Sequence, residues 1–514
     1  MSKRTMTIWT FIVTSVAVFM VSLDNLVVTT ALPVIKRDLG AGLSGLEWTV
    51  NAYTLTFAVL LLTGAALGDR FGRKRMFLVG LVIFTLGSAF AAVAPSIDAL
   101  IAARALQGVG GAIVTPLTLT ILSAAVPPAR RGLALGIWSG TAGLAVALGP
   151  VIGGAIVDGF SWQFIFWVNV PIGLALLPVA FFRLSESKGP NRSLDLPGLA
   201  LVSTGLFGLV WGLVRGNAHG WTNPSVLGPM IAGAVLVVAF VAWELRSREP
   251  MVPMRFFRRR AFSAANLTSV FMSFGMFGSI FLLAQFFQIV QGYSPLQAGL
   301  RTLPWTAMPM LVAPIAGILS DRIGSRPLLI AGMALMASAL GWLAIVSSPT
   351  VAYLHLVPAF VMAGVGMSLY FAPVANLVLS SVRRSEEGKA SGVNNTMREV
   401  GGVFGVAVLA SVFSAAGSYL TPISFVNGLT AALWVGAAAV GVATIAAVAI
   451  PPRQDIVDSV SYLLPDGSDD ETDAREGERI ASGEASYALG SGRPGEPAMI
   501  PVRIDDDPRN EAVG

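Results

Sequence analysis

Apolar residues in this chain come in long unbroken runs, cut by short polar turns, and show little of the alternation of a half-buried strand. A hydrocarbon core about 30 Å thick needs roughly 20 apolar helical residues to cross it. Used as a ruler, that length predicts about fourteen spans. The first six are 8–32, 46–68, 76–95, 98–122, 133–157 and 163–183; a middle pair is 196–215 and 226–244. The last six are 262–290, 297–319, 327–347, 351–381, 389–413 and 426–450. The expected fold is all-α and integral to the membrane, because a lone segment in lipid satisfies its backbone only as a helix. The first span carries Asp24 and has no small-residue cleavage site behind it, so it reads as a retained span and not as a leader.

The polar turns carry a second pattern. Gly68-Asp69-Arg70-Phe71-Gly72-Arg73-Lys74-Arg75 separates spans two and three, and Ser320-Asp321-Arg322-Ile323-Gly324-Ser325-Arg326 separates the second and third of the last six. Both keep Asp-Arg-x-Gly with basic residues close behind, which is what an internal repeat produces. The expected organisation is a six-helix bundle (8–183), a two-helix insert with a basic loop (184–260) and a second six-helix bundle (261–450). An acidic, disordered tail (451–514) follows. Lys and Arg in the short loops set orientation: with the N-terminus inside, twenty-two fall in inner loops and three in outer ones. Both termini are therefore expected in the cytoplasm.

Composition narrows the chemistry. The chain is 54% hydrophobic and 12% charged, against about 25% charged for a soluble domain. Its net charge of +5 hides a tail with 15 acidic and 6 basic side chains. The remaining positive excess lies in the loops, so the pI near 9.7 reports topology and not nucleic-acid binding. There is no cysteine and only two histidines, His219 and His355. Disulfides, thiol nucleophiles and His-rich metal sites are excluded, and no cofactor or enzyme is expected. No glycine-rich phosphate cradle appears, so ATP is not the expected energy source.

Ionisable side chains inside the spans are few: Asp24, Arg104, Arg398 and Glu399. Each is costly against lipid and should face a cavity or a partner. Counting the helical rise puts Asp24 and Arg104 at similar depths. They form either a pair that exchanges a proton when the arginine is lost or a fixed structural pair. Glu399, about ten residues into its span, is the second candidate proton carrier and can attract a cationic compound. Helix neighbours lie about 100° apart, so Arg398 is expected on a different face; an ordinary surface pair is the alternative. Span nine offers Phe281, with Gln285 and Gln288 three apart on one face, as an amphipathic pocket wall that Arg398 would complete. Gln288 is the preferred contact.

At this point the chain resembles the major facilitator superfamily, and within it the fourteen-span drug:proton antiporters. Four stretches carry the likeness: Leu67 to Lys74, Arg104-Ala105-Leu106-Gln107-Gly108-Val109-Gly110-Gly111, Gly149-Pro150-Val151-Ile152-Gly153-Gly154, and Asp24 through Ala31-Leu32-Pro33. Ala65 stands where the first motif usually has glycine; Leu26 and Thr29 depart from the last. Trp162 to Asn169-Val170-Pro171 is also similar, with Gln163 for the common arginine. The resemblance implies a conformational latch at Gly68, Asp69, Arg70, Gly72 and Arg73, echoed by Asp321 and Arg322, although plain orienting charge is the alternative. It implies an antiporter helix at Gly149, Pro150, Gly153 and Gly154, whose small face can seal a cavity. The implied activity is proton-coupled export of a hydrophobic or cationic drug by a monomer whose partners are that compound, protons and the bilayer. Export of a self-made metabolite or antibiotic is the alternative, and a non-transporting scaffold a more distant one.

Overall fold

The computed structural model describes residues 3–126, 128–188, 195–382 and 386–452; several side chains, those of 128–137 and Asp321 among them, lie outside that description, as does the expected acidic tail. The first set of helices is α1 (Lys3–Leu39), α2 (Leu43–Phe71), α3 (Arg73–Ala92), α4 (Ile97–Ala125), α5 (Pro128–Gly159), the short α6 (Phe164–Trp167) and α7 (Asn169–Arg183). Then come α8 (Leu196–His219) and α9 (Pro224–Glu244). After a 3-10 turn, Met254–Arg258, the last set is α10 (Arg260–Gln285), a π turn Phe286–Val290, α11 (Pro295–Thr306), α12 (Met308–Ile323), α13 (Ser325–Val346), α14 (Tyr353–Ser380), α15 (Glu387–Ala416) and α16 (Pro422–Val448).

Among the described residues, 13 helical segments are long and apolar enough to cross a membrane, and no strand occurs. The expected span 133–157 falls in α5, 32 residues long, whose side chains are described only in part. Exposed apolar side chains such as Phe182 (76%), Ile345 (73%) and Leu354 (76%) stud the outer faces, as lipid contact requires. The protein is a multi-pass membrane protein.

Side-chain caps begin several helices: Ser96, Asp195, Asn223, Ser294 and Thr421 each accept a backbone N–H of the first turn. Two boundaries differ from the expectation. The first helix runs past Pro33 to Leu39, because proline removes one backbone donor without stopping a helix whose neighbours re-satisfy it. Span ten is interrupted at Ala307, where Pro304 and Pro309 both remove donors within one turn of the break.

Long helices alternate in direction. The turns near Gly72, Gly324 and 245–259 share one end, the basic end; those at 40–42, 160–163, 291–294 and 417–421 share the other, the far end. Helix pairing repeats between the two sets. In the first, α1 packs on α5, α3 on α4, α2 on α4, and α3 on α7. In the second, α10 packs on α15, α13 on α14, α12 on α14, and α13 on α16. Where the sets meet, α2 packs on α15 and α5 on α11, two contacts that exchange under the same correspondence. The helix α8 touches both α2 and α15 and carries α9 on its other side.

Candidate transport site

The first polar node ties five helices together. Arg104 of α4 is 1% exposed, and its Nη1 donates to Asp24 Oδ2 of α1. The same nitrogen donates to Gln107 Oε1 at 2.9 Å, and Nε donates to the Thr49 carbonyl of α2 at 3.2 Å. Asp24 Oδ1 accepts from Gln107 Nε2 at 3.1 Å and from Asn169 Nδ2 of α7 at 2.8 Å. Gln107 Nε2 also donates to Ser88 Oγ of α3 at 2.6 Å. The Tyr53 ring lies 4.3 Å from the guanidinium carbon, so the cation is neutralised on one side and covered by an aromatic face on another. Asp24 and Arg104 are thus brought together. Gln107 and Asn169 were not singled out for this role, although both lie inside motif stretches.

The second node lies on α15. Arg398 Nη2 donates to Glu399 Oε1 at 3.0 Å, which corrects the expectation that the two face apart. Their Cα–Cβ directions do diverge, but the arginine side chain is long enough to reach back. Glu399 is 4% exposed, and its Oε2 has no hydrogen-bond partner among the described residues. It lies within electrostatic reach of Tyr53 in the first set and Tyr370 in its own.

A cavity of about 90 Å³ opens beside it between α14 and α15, lined by Tyr370, Phe371, Ser391, Asn394, Asn395 and Arg398 among others. It occupies the basic-end half of both helices. The expected wall on span nine does not line it. Phe281 and Gln285 are fully buried, Phe281 in the apolar core, while Gln285 accepts from the Tyr419 hydroxyl at 2.5 Å. Gln288 spends its amide N–H on the Thr30 carbonyl of α1 at 2.8 Å, joining the two sets of helices. Only Arg398 of the four expected pocket residues reaches the cavity.

At the far end the small face of α5 meets both neighbours. A Cβ on Gly149 would lie 2.8 Å from Leu26, and one on Gly153 2.5 Å from the Thr30 hydroxyl. On Gly154 it would lie 2.3 Å from the Pro295 carbonyl, in the other set of helices; Gly299 of α11 approaches the Pro150 carbonyl in the same way, at 2.1 Å. Ser294 Oγ donates to Asp158 Oδ2 at 2.8 Å, and the Lys36 ammonium sits 3.1 Å from the Tyr419 ring centre. This end is closed by backbone-close packing with polar clasps around it.

At the basic end, Gly72 holds φ 111° and its counterpart Gly324 φ 83°, conformations that only glycine adopts without strain. Asp69 Oδ1 pairs with Arg73, 3.0 Å from Nε and 2.9 Å from Nη2. Arg70 leans on Phe71. The start of α3 is capped from outside the motif: Glu186, beyond α7, accepts from the Lys74 and Arg75 backbone N–H groups at 3.0 and 3.2 Å. Gly68 packs against Leu117 of α4. In the copy, Arg322 is exposed and Arg326 donates to the Val448 carbonyl; the Asp321 side chain lies outside the described residues.

Sequence reasoning also missed Glu47. It lies in the first two turns of α2, 3% exposed, and Oε2 has no hydrogen-bond partner. The signal was an acidic residue directly inside the edge of an apolar run. Among the described residues no cluster of three metal-ligating side chains occurs.

The Major Facilitator Superfamily profile matches residues 14–406. The tetracenomycin C resistance and export protein of Streptomyces glaucescens is 35% identical over 402 residues, covering 78% of this chain and 74% of the relative. The multidrug resistance protein Stp of Mycobacterium tuberculosis is 36% identical over 408 residues, covering 79% and 76%. The cephamycin export protein CmcT of Amycolatopsis lactamdurans is 38% identical over 423 residues, covering 80% and 86%. Among solved structures, a peptide transporter in complex with sulfate aligns over 89% of this chain and 99% of its own, with a TM-score of 0.64 and 15% identity, a likeness of fold alone. The protein is a transporter and not an enzyme, and its chain belongs to the major facilitator superfamily.

Proposed function

We propose that this protein is a proton-coupled exporter of hydrophobic or cationic drugs and antibiotics, working as a monomer by alternating access. Fourteen spans, as six, two and six, would place both termini and the basic end in the cytoplasm. The two six-helix bundles rock about the α2–α15 and α5–α11 contacts, opening the site to one side at a time. The far end is the outer seal of a cytoplasm-facing state, and the turn that holds the Asp69–Arg73 pair is the latch of the inner end.

The observation that carries the proposal is the set of buried ionisable groups at membrane depth. Asp24, Arg104 and Glu399 are each 4% exposed or less, well inside long apolar helices. Such groups persist in spans when they carry ions or substrate. The named functions of the relatives, export of tetracenomycin C and cephamycin and multidrug resistance, support export as its direction. The same names favour a second reading, in which the cargo is one antibiotic made by the same cell.

The test is dye efflux from energised cells carrying wild type, Asp24→Asn or Glu399→Gln, with ethidium as probe and a protonophore as control. Protonophore-sensitive efflux that either variant loses at equal protein level supports the proposal. Normal pumping by both variants would remove the proton-site assignment, and no efflux by the wild type would favour a single dedicated cargo.

A further inference from the structure

Resting on the reading of this chain as an exporter, we propose that the α14–α15 cavity is the anchor for the acidic end of an aromatic cargo, such as a carboxylate or an acidic phenol, with Arg398 as the residue that selects for it. The sequence alone pointed to a cationic compound drawn by Glu399. The geometry reverses the order in which a ligand meets these two charges. Arg398 has 29% of its side chain exposed and lines the cavity, whereas Glu399 has 5% and stands behind it. No aspartate or glutamate is among the lining residues.

The unspent hydrogen-bonding capacity has the same sign. A guanidinium offers five N–H donors in a planar fork. Glu399 takes one of them, at Nη2, leaving the rest for a ligand. The Tyr370 hydroxyl is fully buried against Ser269 at the cavity wall, and Asn395 adds an amide to the lining. A guanidinium fork fits a carboxylate or phenolate better than any neutral group, and charge-assisted bonds are the stronger kind. A cation entering here would meet a like charge first.

The walls choose the rest of the molecule. The Phe371 ring lies 5.8 Å from the Arg398 guanidinium carbon, so an aryl acid finds a flat apolar surface next to the fork. A volume of about 90 Å³ is well below the roughly 300 Å³ of the smallest drug-sized pockets, so the cavity takes one acidic ring and not the whole cargo. The acid and Glu399 compete for the same guanidinium. Removing the Glu399 charge therefore strengthens acid binding, while removing the Arg398 charge abolishes the preference. A site built to attract cations shows the opposite response.

The experiment uses the full chain in lipid nanodiscs and three probes: anthraquinone-2-carboxylate, its uncharged 2-carboxamide, and ethidium. Titration of the wild type is expected to show the carboxylate binding about tenfold or more tighter than the amide, the size of one charge-assisted contact. Arg398→Gln should bring the two together without weakening the amide, and Glu399→Gln should tighten the carboxylate. Equal binding of acid and amide by the wild type, or weaker acid binding in Glu399→Gln, overturns the inference; the first comparison needs no variant to fold. Flux through energised vesicles separates the two readings. Arg398-dependent acid binding without flux keeps this inference and sinks export, whereas ethidium efflux without an acid preference does the reverse.

Discussion

Neutralising Asp24 should expose how much of the first node is mutual compensation. In Asp24→Asn, Arg104 keeps its bonds to Gln107 and the Thr49 carbonyl but loses, at 1% exposure, its one counter-ion among the described residues. Leaving a buried charge unpaired costs about 3–5 kcal/mol. Arg104→Met removes the cation instead and strands Asp24, still held by Gln107 and Asn169, at a cost of the same order. The double variant strands neither charge, so its stability should lie above that of either single. The cycle then yields a coupling larger than either single cost, at least about 3–5 kcal/mol. The measurement is reversible denaturation of the purified protein in mixed micelles, with transport assayed on the same four preparations. A double variant that loses the sum of the two single costs would refute the reasoning, because the charges would then not be compensating one another. A stable double variant without transport separates the pair's role in coupling from its role in folding.

Two further predictions concern the far end. Gly154→Val places side-chain carbons against the Pro295 carbonyl and Leu296, in contacts already as short as 2.3 Å for a Cβ. Overpacking of this kind costs about 1–3 kcal/mol, roughly a 5- to 150-fold shift away from the closed far end. The chain has no cysteine, so Thr30→Cys is a clean reporter: its reaction with an impermeant maleimide should rise in the Gly154→Val background and stay slow without it. Tyr419 lies in the turn between α15 and α16, where burial, reinforced by the nearby Glu47 carboxyl and opposed by the Gln285 hydrogen bond, pushes its phenol above the ordinary range. The folded state thus favours the neutral phenol. Its contribution is complete below about pH 10, where the unfolded phenol is also protonated, and is lost as pH rises from there through the folded group's pKa. Denaturation of wild type and Tyr419→Phe across that window should show the gap between them changing with pH; a constant gap rules the assignment out.

Much of this architecture is legible in one dimension, and the reason is solvent. Lipid leaves a spanning segment no backbone partner but itself, so run length alone located the helices that cross. The paired turns were legible for another reason: Gly72 and Gly324 need a positive φ, and few other residues supply it. Contacts between helices follow no such rule. Gln107 and Asn169 sit within motif stretches, yet nothing in their spacing says that both reach Asp24. Glu186 lies far along the chain from the α3 terminus that it caps. The aromatic run of span nine looked like a pocket wall because periodicity cannot tell an apolar face turned to a cavity from one turned to the core, and Phe281 is core. The Arg398–Glu399 pair stood only as the alternative reading because helical angles describe where a side chain starts, not how far it bends.

The two nodes differ in a way that bears on where a proton would be exchanged under the proposed coupling. Asp24 accepts from Arg104, Gln107 and Asn169, so both oxygens already face donors. A proton on either oxygen would set donor against donor and require the five-helix node to rearrange. Glu399 has one oxygen paired and Oε2 free, so a proton can attach there without displacing any partner. It also stands beside the one guanidinium that lines the cavity and within reach of Tyr53, the ring stacked on Arg104. If transport is proton-coupled as proposed, that arrangement favours Glu399 as the exchanging group and Asp24 as a fixed charge of the first bundle. In the efflux comparison, Glu399→Gln should then uncouple transport at near-normal stability. Asp24→Asn should lose transport and stability together, and the reverse pattern would exchange the two roles.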